Sequence, residues 1–124
     1  MPHRILVVDD DPHIRDVICF ALSSAGMTPS TAADGEQALA LARQNHYALI
    51  LMDIQMPRLN GIDATKAIRD DSLNRKTPIL AITANAFDTD RRLCLEAGMN
   101  DHIPKPISRD VLYATLLKWL KSLR

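Results

Sequence analysis

The amino-acid sequence predicts an α/β fold in which a five-stranded parallel sheet is covered by helices on both faces. Short apolar runs rich in β-branched residues alternate along the chain with segments whose apolar residues recur every three or four positions, as in amphipathic helices. Each intervening segment is long enough for a helix, which is the connection that parallel strands need. The chain has 124 residues, so we expect residues 1–124 to form one domain.

The first strand is predicted at Arg4–Asp9, because RILVVD is a β-branched run that ends in an acid. Asp11 and Pro12 then supply a helix N-cap and a first-turn proline, and Gly26 ends this helix. Its apolar residues lie at spacings of three and four: Ile14, Val17, Ile18, Ala21, Leu22 and Ala25. We therefore assign Val17 to the buried face of the helix.

The same signals predict the elements that follow. Met27–Ala33 is a weaker strand, and Asp34 with Gly35 opens the second helix. Ala48–Asp53 is an apolar strand that ends in a carboxylate, and Asn60 caps the third helix. The later elements are a strand at Pro78–Thr83, a short helix at Asp88–Ala97 closed by Gly98, a short strand at His102–Ile103 and a last helix capped by Ser108.

Charge and composition exclude some classes of function. The 15 basic residues balance the 15 acidic ones, and a formal net charge of zero disfavours direct binding to nucleic acid. No apolar run approaches the ~20 residues of a membrane span, so we expect no membrane segment in this chain. Cys19 and Cys94 lack metal-ligand spacing, which favours free thiols and a cytoplasmic location.

Polar side chains stand at the ends of four predicted strands: Asp9, Asp10 and Asp11 after the first, Asp53 at the third, Thr83 at the fourth and Lys105 after the fifth. In a parallel α/β sheet these ends share one edge, where ligands bind. Clustered carboxylates repel one another, and Mg²⁺ with oxygen ligands relieves that repulsion. With a lysine and a hydroxyl nearby, Asp53 is predicted to act as a nucleophile that forms an aspartyl phosphate. Asp11 is interpreted as a helix cap.

The motifs ILVVDDDP, LILMDIQMPRLNG, ILAITANA and GMNDHIPKPIS occur in this order and cover essentially the whole chain. With them the sequence resembles a response-regulator receiver domain of two-component signalling, most closely the receivers of hybrid sensor histidine kinases. The resemblance implies a flavodoxin-like (βα)5 three-layer sandwich with strand order 2-1-3-4-5. It also implies a phosphorelay role, with a phosphohistidine as the donor and slow autodephosphorylation as the domain's other reaction.

The resemblance assigns roles to individual residues. It makes Asp53 the phosphoacceptor, while Thr83 and Lys105 would contact the phosphoryl group. The ligands that it implies for Mg²⁺, or alternatively Mn²⁺, are Asp10, Asp53 and the backbone carbonyl of Gln55, with Asp9 acting through water. The domain would thus be a signalling switch and not a conventional enzyme.

A switch residue and partners are implied as well. His102 stands where receivers usually carry Tyr or Phe, and the sequence leaves open whether it is an exposed strand-edge residue or a switch that follows Thr83. The implied partner is a sensor histidine kinase or a histidine phosphotransfer domain that docks near Ile14 and Pro106. The face formed by the fourth helix, fifth strand and fifth helix would report the signal and would form any homodimer.

Three other functions compete with this interpretation. A haloacid-dehalogenase-type phosphatase needs a second acid two residues after its nucleophile, where this chain has Gln55. A pseudo-receiver that only binds partners would not need the complete set of acids, threonine and lysine. A flavodoxin-type cofactor domain would need a Ser/Thr/Gly-rich phosphate loop after the first strand, and DDDPHIR carries the opposite charge.

Overall fold

The computed structural model describes residues 3–56, 59–84 and 88–121. Strands and helices alternate strictly: β1 (Arg4–Val8), α1 (Pro12–Ser24), β2 (Thr28–Ala32), α2 (Gly35–Gln44), β3 (Leu49–Asp53), α3 (Gly61–Asp70), β4 (Ile79–Thr83), α4 (Asp88–Ala97), β5 (Asp101–Pro104) and α5 (Arg109–Lys121). The strands form one parallel sheet in the order β2-β1-β3-β4-β5. The predicted fold class and strand order are confirmed.

Side-chain caps start the helices where the sequence predicts them. The carboxylates of Asp11 and Asp34 and the amide oxygen of Asn60 each accept a hydrogen bond from a backbone N–H in the first turn of α1, α2 and α3. Gly26 follows α1 with φ +81°, a conformation that costs glycine little. These local signals fix where each helix begins and thus where each preceding strand must stop.

The fifth strand is longer than predicted. It spans Asp101–Pro104 instead of His102–Ile103, because its pairing with β4 continues from Leu80 to Thr83. Pro104 lacks an N–H, but β5 is an edge strand, where proline is tolerated.

Alternate side chains of the strands feed two separate cores. One core contains Leu6, Val8, Ile50, Met52 and Ile79 together with residues of α2, α3 and α4. The other contains Ile5, Val7, Leu49, Leu51 and Leu80 together with residues of α1 and α5. This alternation is the period-two pattern of strands covered on both faces, and it explains why the strands read as continuous apolar runs.

The assignment of Val17 to the core is wrong. The buried face of α1 consists of Ile18, Ala21 and Leu22, whereas Val17 is 42% exposed and Phe20 is 68% exposed. At 100° per residue Val17 falls on the border of the buried stripe, on the side of Phe20. Both side chains therefore belong to the surface of α1.

Candidate active site

Asp9 lies one residue beyond β1 and is fully buried. Its backbone N–H donates to the Ala32 carbonyl at 3.2 Å, and its Oδ1 accepts from the Asp11 N–H at 2.9 Å. Its other carboxylate oxygen, Oδ2, has the Lys105 ammonium as its neighbour, with Nζ at 3.2 Å. Burial of a carboxylate is energetically unfavourable unless a positive charge compensates it, so Asp9 Oδ2 needs a cation nearby.

Asp53 ends β3 and is 3% exposed. Its Oδ1 accepts a hydrogen bond from the Gln55 N–H at 3.2 Å, so the two residues after the strand turn over the carboxylate. Gly61, the first residue of α3, packs directly on this strand end, because a Cβ there would lie 2.2 Å from the Asp53 carbonyl oxygen. Glycine is required at this close approach.

Lys105 supplies the positive charge, as its position after the fifth strand predicts. Its Nζ lies 3.2 Å from Asp9 Oδ2 and 3.5 Å from Asp53 Oδ1. Its backbone N–H donates to the Thr83 carbonyl at 2.8 Å, which anchors the lysine to the end of β4. The side chain is 21% exposed, so the ammonium acts in a medium that screens charge less than bulk water does.

Asp10 completes a group of three carboxylates. Asp9, Asp10 and Asp53 each offer one oxygen within 4.8 Å of the oxygens of the other two, and Asp10 is the exposed member. One lysine cannot neutralise three acids, so the site carries more negative than positive charge. Hard oxygen donors of this number and exposure fit Mg²⁺, which keeps several water ligands.

The charges shift the titration of the site. Burial and the charge of Asp9 raise the pKa of Asp53, Asp10 adds to this effect, and the opposing influence of Gln55 and Lys105 leaves the value at about 7. Burial alone would lower the pKa of Lys105, but the carboxylates of Asp53 and Asp9 raise it above its usual value. Lys105 therefore stays charged. Asp53 is harder to ionise in the absence of a metal ion than an ordinary aspartate is.

Thr83 and His102 line a common cavity of about 120 Å³ under α4. Thr83 is the buried last residue of β4. The side chain of His102 is 32% exposed, and its Nδ1 lies 3.7 Å from Asp101 Oδ1. His102 is thus both partly exposed, as one interpretation predicts, and next to the cavity of Thr83, as a switch residue must be.

Asp101 is a residue whose role the sequence analysis missed. Its Oδ2 accepts a hydrogen bond from the Trp119 indole N–H at 2.8 Å and lies 3.5 Å from Lys118 Nζ. Burial alone would raise the pKa of Asp101, but the bonds from Trp119 and His102 and the charge of Lys118 lower it. The apolar spacing of α5 predicts that Trp119 packs in the core. Only its indole N–H indicates that Trp119 can also donate a hydrogen bond to a carboxylate.

The predicted docking residues lie near the site on α1 and the loop after β5. Ile14 is half-buried against the core shared by α1 and α5, and Pro106 is exposed. Between α1 and α5 runs an open groove that Val17, Phe20 and other side chains line: His13, Asp16, Ala21, Ile107, Arg109 and Leu112. Val17 and Phe20 are therefore exposed apolar side chains on α1 in addition to the predicted docking residues.

Comparison with known proteins assigns the family. The sequence model described as "Response regulator receiver domain" matches residues 5–117. The chain is a receiver domain. Receiver domains are signalling modules of two-component systems that act with histidine kinases or phosphotransfer proteins, so this membership confirms the predicted class.

Several relatives are sensor histidine kinases. The receiver domain is 38% identical over 120 residues to the sensor histidine kinase RcsC of Escherichia coli, covering 97% of this chain but 12% of RcsC. It is 38% identical over 114 residues to the DNA-binding response regulator MtrA of Mycolicibacterium smegmatis, covering 92% of this chain and 49% of MtrA. The chain thus spans only part of these relatives.

Solved structures agree in fold. The receiver domain of the sensor histidine kinase PA1611 from Pseudomonas aeruginosa superimposes with a TM-score of 0.90 at 42% identity, covering 98% of this chain and 99% of that one. That structure holds a magnesium ion coordinated in its active site cleft. The chemotaxis protein CheY4 of Vibrio cholerae gives a TM-score of 0.91 at 32% identity, covering 95% and 98% of the two chains.

Two further predictions have structural outcomes. Cys19 and Cys94 are thiols and not halves of a disulfide, as predicted. None of the helices in residues 3–56, 59–84 and 88–121 combines the length and hydropathy needed to span a bilayer.

Proposed function

We propose that residues 1–124 act as a phosphoacceptor switch in which Asp53 receives a phosphoryl group from a phosphohistidine. The observation that carries this proposal is the position of the Asp53 carboxylate. It is buried, lies 3.5 Å from the Lys105 ammonium and belongs to a group of three acids whose negative charge this one lysine does not balance. A site of this kind stabilises an incoming phosphoryl group by charge and position.

In the transfer step an Asp53 carboxylate oxygen forms the new O–P bond while the P–N bond of the phosphohistidine breaks. The electron pair of that bond stays on the imidazole nitrogen. Asp53 must be ionised, and bound Mg²⁺, or Mn²⁺, would favour the ionised form and neutralise charge on the phosphoryl oxygens. Asp10, Asp53 and the Gln55 carbonyl would hold the metal directly, and Asp9 would do so through water. Autodephosphorylation follows when water attacks phosphorus and Asp53 leaves as a carboxylate.

Lys105 changes partners in this proposal. In the unphosphorylated domain its Nζ contacts Asp9 and Asp53, and after transfer it contacts the phosphoryl oxygens. Thr83, whose carbonyl is already bonded to the Lys105 N–H, donates its hydroxyl to the same group. The phosphoryl group adds roughly −1.5 to −2 charges, which is enough to bias a two-state rearrangement nearby.

His102 carries the change outward. Movement of Thr83 toward the phosphoryl group enlarges the cavity that it shares with His102, and the imidazole enters it. His102 then leaves Asp101, which is bonded to Trp119 on α5. The face of α4, β5 and α5 thereby reports phosphorylation, and a homodimer would form through it.

The donor docks over the α1 side of the site. Ile14 lies on α1 four residues after Asp10, Pro106 directly follows Lys105, and Val17 and Phe20 are further exposed apolar side chains on α1. A sensor histidine kinase or a histidine phosphotransfer domain could seat a helix against them, since such helices present an apolar face. We place the domain in the cytoplasm with this donor, without direct contact to nucleic acid.

The test is incubation with acetyl phosphate, with and without Mg²⁺, followed by intact mass spectrometry. We expect a gain of one phosphoryl mass that needs Mg²⁺ and is lost in Asp53→Asn. The matched control Asp16→Asn removes an exposed acid of α1 and should leave the gain intact. A folded protein that gains no phosphoryl mass under any condition would instead be a pseudo-receiver that only binds partners.

A further inference from the structure

The carbonyl of Asp9 has a bonding partner that the proposed function does not use. The Asp9 N–H makes the last bond from β1 to β2, whose final residue is Ala32, so no further β2 amide is available to the Asp9 carbonyl. Arg15 on α1 donates to this carbonyl from Nη1 at 2.8 Å. The guanidinium thus takes the place of the missing partner from the sheet.

This bond fixes the peptide that joins Asp9 to Asp10. The Asp9 residue is then held by hydrogen bonds at its N–H, its Oδ1 and its carbonyl oxygen, and its Oδ2 contacts Lys105 Nζ. Asp10 follows immediately and is the exposed member of the three acids. Because the plane of its preceding peptide is fixed, the direction of its side chain toward the site is restricted as well.

We propose that Arg15 is a positioning residue for divalent-cation binding, which it favours by holding the Asp9–Asp10 peptide although its own charge repels a cation. The inference rests on the proposed function, since it concerns the same metal site. The two effects of Arg15 have opposite signs. As a charge near the site it would weaken Mg²⁺ binding, whereas as a hydrogen-bond donor to the turn it strengthens binding by preorganising a ligand.

The opposite signs make the proposal testable with Mg²⁺ alone. Isothermal titration of the unphosphorylated domain should show Mg²⁺ affinity about tenfold lower in Arg15→Ala than in the wild type. The control Arg109→Ala removes an exposed positive charge from the first residue of α5 and should leave the affinity unchanged or slightly higher. Unchanged or tighter binding in Arg15→Ala would overturn the proposal.

A conservative variant covers the case in which Arg15→Ala folds poorly. Arg15→Lys keeps the charge but replaces the rigid guanidinium with a flexible ammonium, so loss of positioning predicts weaker Mg²⁺ binding than in the wild type, whereas charge alone predicts unchanged binding. In metal-free protein, faster hydrogen exchange of the Asp11 amide in Arg15→Ala would show the loosened turn directly. Failure of the wild type to bind Mg²⁺ would reject the proposed function instead, so the two failures are distinguishable.

Discussion

Replacing Asp53 by Asn should stabilise the metal-free domain, and the gain should grow with pH. The pKa of Asp53 is about 7 in the folded protein and 3.8 for an ordinary Asp, so the folded state binds this proton more tightly than the unfolded state does. Below the ordinary pKa of Asp, the raised pKa therefore has no effect on the free energy of unfolding. As pH rises from that ordinary pKa to about 7, the free energy of unfolding falls. The full difference corresponds to about 4 kcal/mol, an upper limit.

Asparagine has nearly the shape of aspartate and can still accept the Gln55 N–H, so Asp53→Asn removes mainly the charge. Urea unfolding in chelator should give the two proteins similar stability near pH 4, and the variant should be about 2–4 kcal/mol more stable at pH 8. Asp16→Asn, at an exposed position, should stay within about 0.5 kcal/mol of the wild type throughout. A difference for Asp53→Asn that is constant with pH, or a loss of stability at pH 8, would refute the assigned pKa and its cause.

Three other substitutions test separate contacts by urea unfolding. Lys105→Met removes the ammonium next to Asp53 and should lower the free energy of unfolding by about 3 kcal/mol at pH 8 in chelator. Added Mg²⁺ should restore this stability, because it replaces the lost positive charge. A loss that Mg²⁺ does not reduce would contradict the shared role of the two cations. Gly61→Ala places a Cβ against the Asp53 carbonyl and should cost about 1–3 kcal/mol, and an unchanged stability would show that α3 does not pack as described. Trp119→Phe removes the indole N–H from Asp101 and should lower the free energy of unfolding by about 1–2 kcal/mol at neutral pH. Because this hydrogen bond lowers the pKa of Asp101, the loss of stability should become smaller as acid protonates Asp101. A loss that does not change with pH would indicate that only packing was lost.

The fold could be predicted because local signals agree with one another along the chain. Asp11, Asp34 and Asn60 cap helices at the predicted positions, and the apolar runs are buried on both faces. The prediction for Val17 is wrong because spacings of three and four identify the apolar face of a helix but not which residues at the edge of that face are buried. The extra length of β5 was missed because it depends on pairing with β4, and pairing is not visible in a four-residue segment.

The acids and the lysine of the site could be predicted from strand ends, because topology alone brings those ends to one edge. The bonds of Arg15 and Trp119 could not be predicted. Each joins a helix side chain to a polar atom at a strand end or in a neighbouring strand, and its formation depends on angles that sequence spacing does not encode. Long polar side chains on helices are usually solvated, so their spacing carries no signal of such a bond.

The most direct test of the account is to identify the phosphorylated residue. After reaction with acetyl phosphate and Mg²⁺, borohydride reduces an aspartyl phosphate to homoserine, which tandem mass spectrometry can locate. Tryptic cleavage after Arg43 and Arg58 gives a peptide, 44–58, in which Asp53 is the sole carboxylic side chain, and Asp9 and Asp10 fall in a different peptide. We expect homoserine at position 53 alone. Homoserine at position 9 or 10, or its absence from every peptide of a protein that gained phosphoryl mass, would contradict Asp53 as the phosphoacceptor.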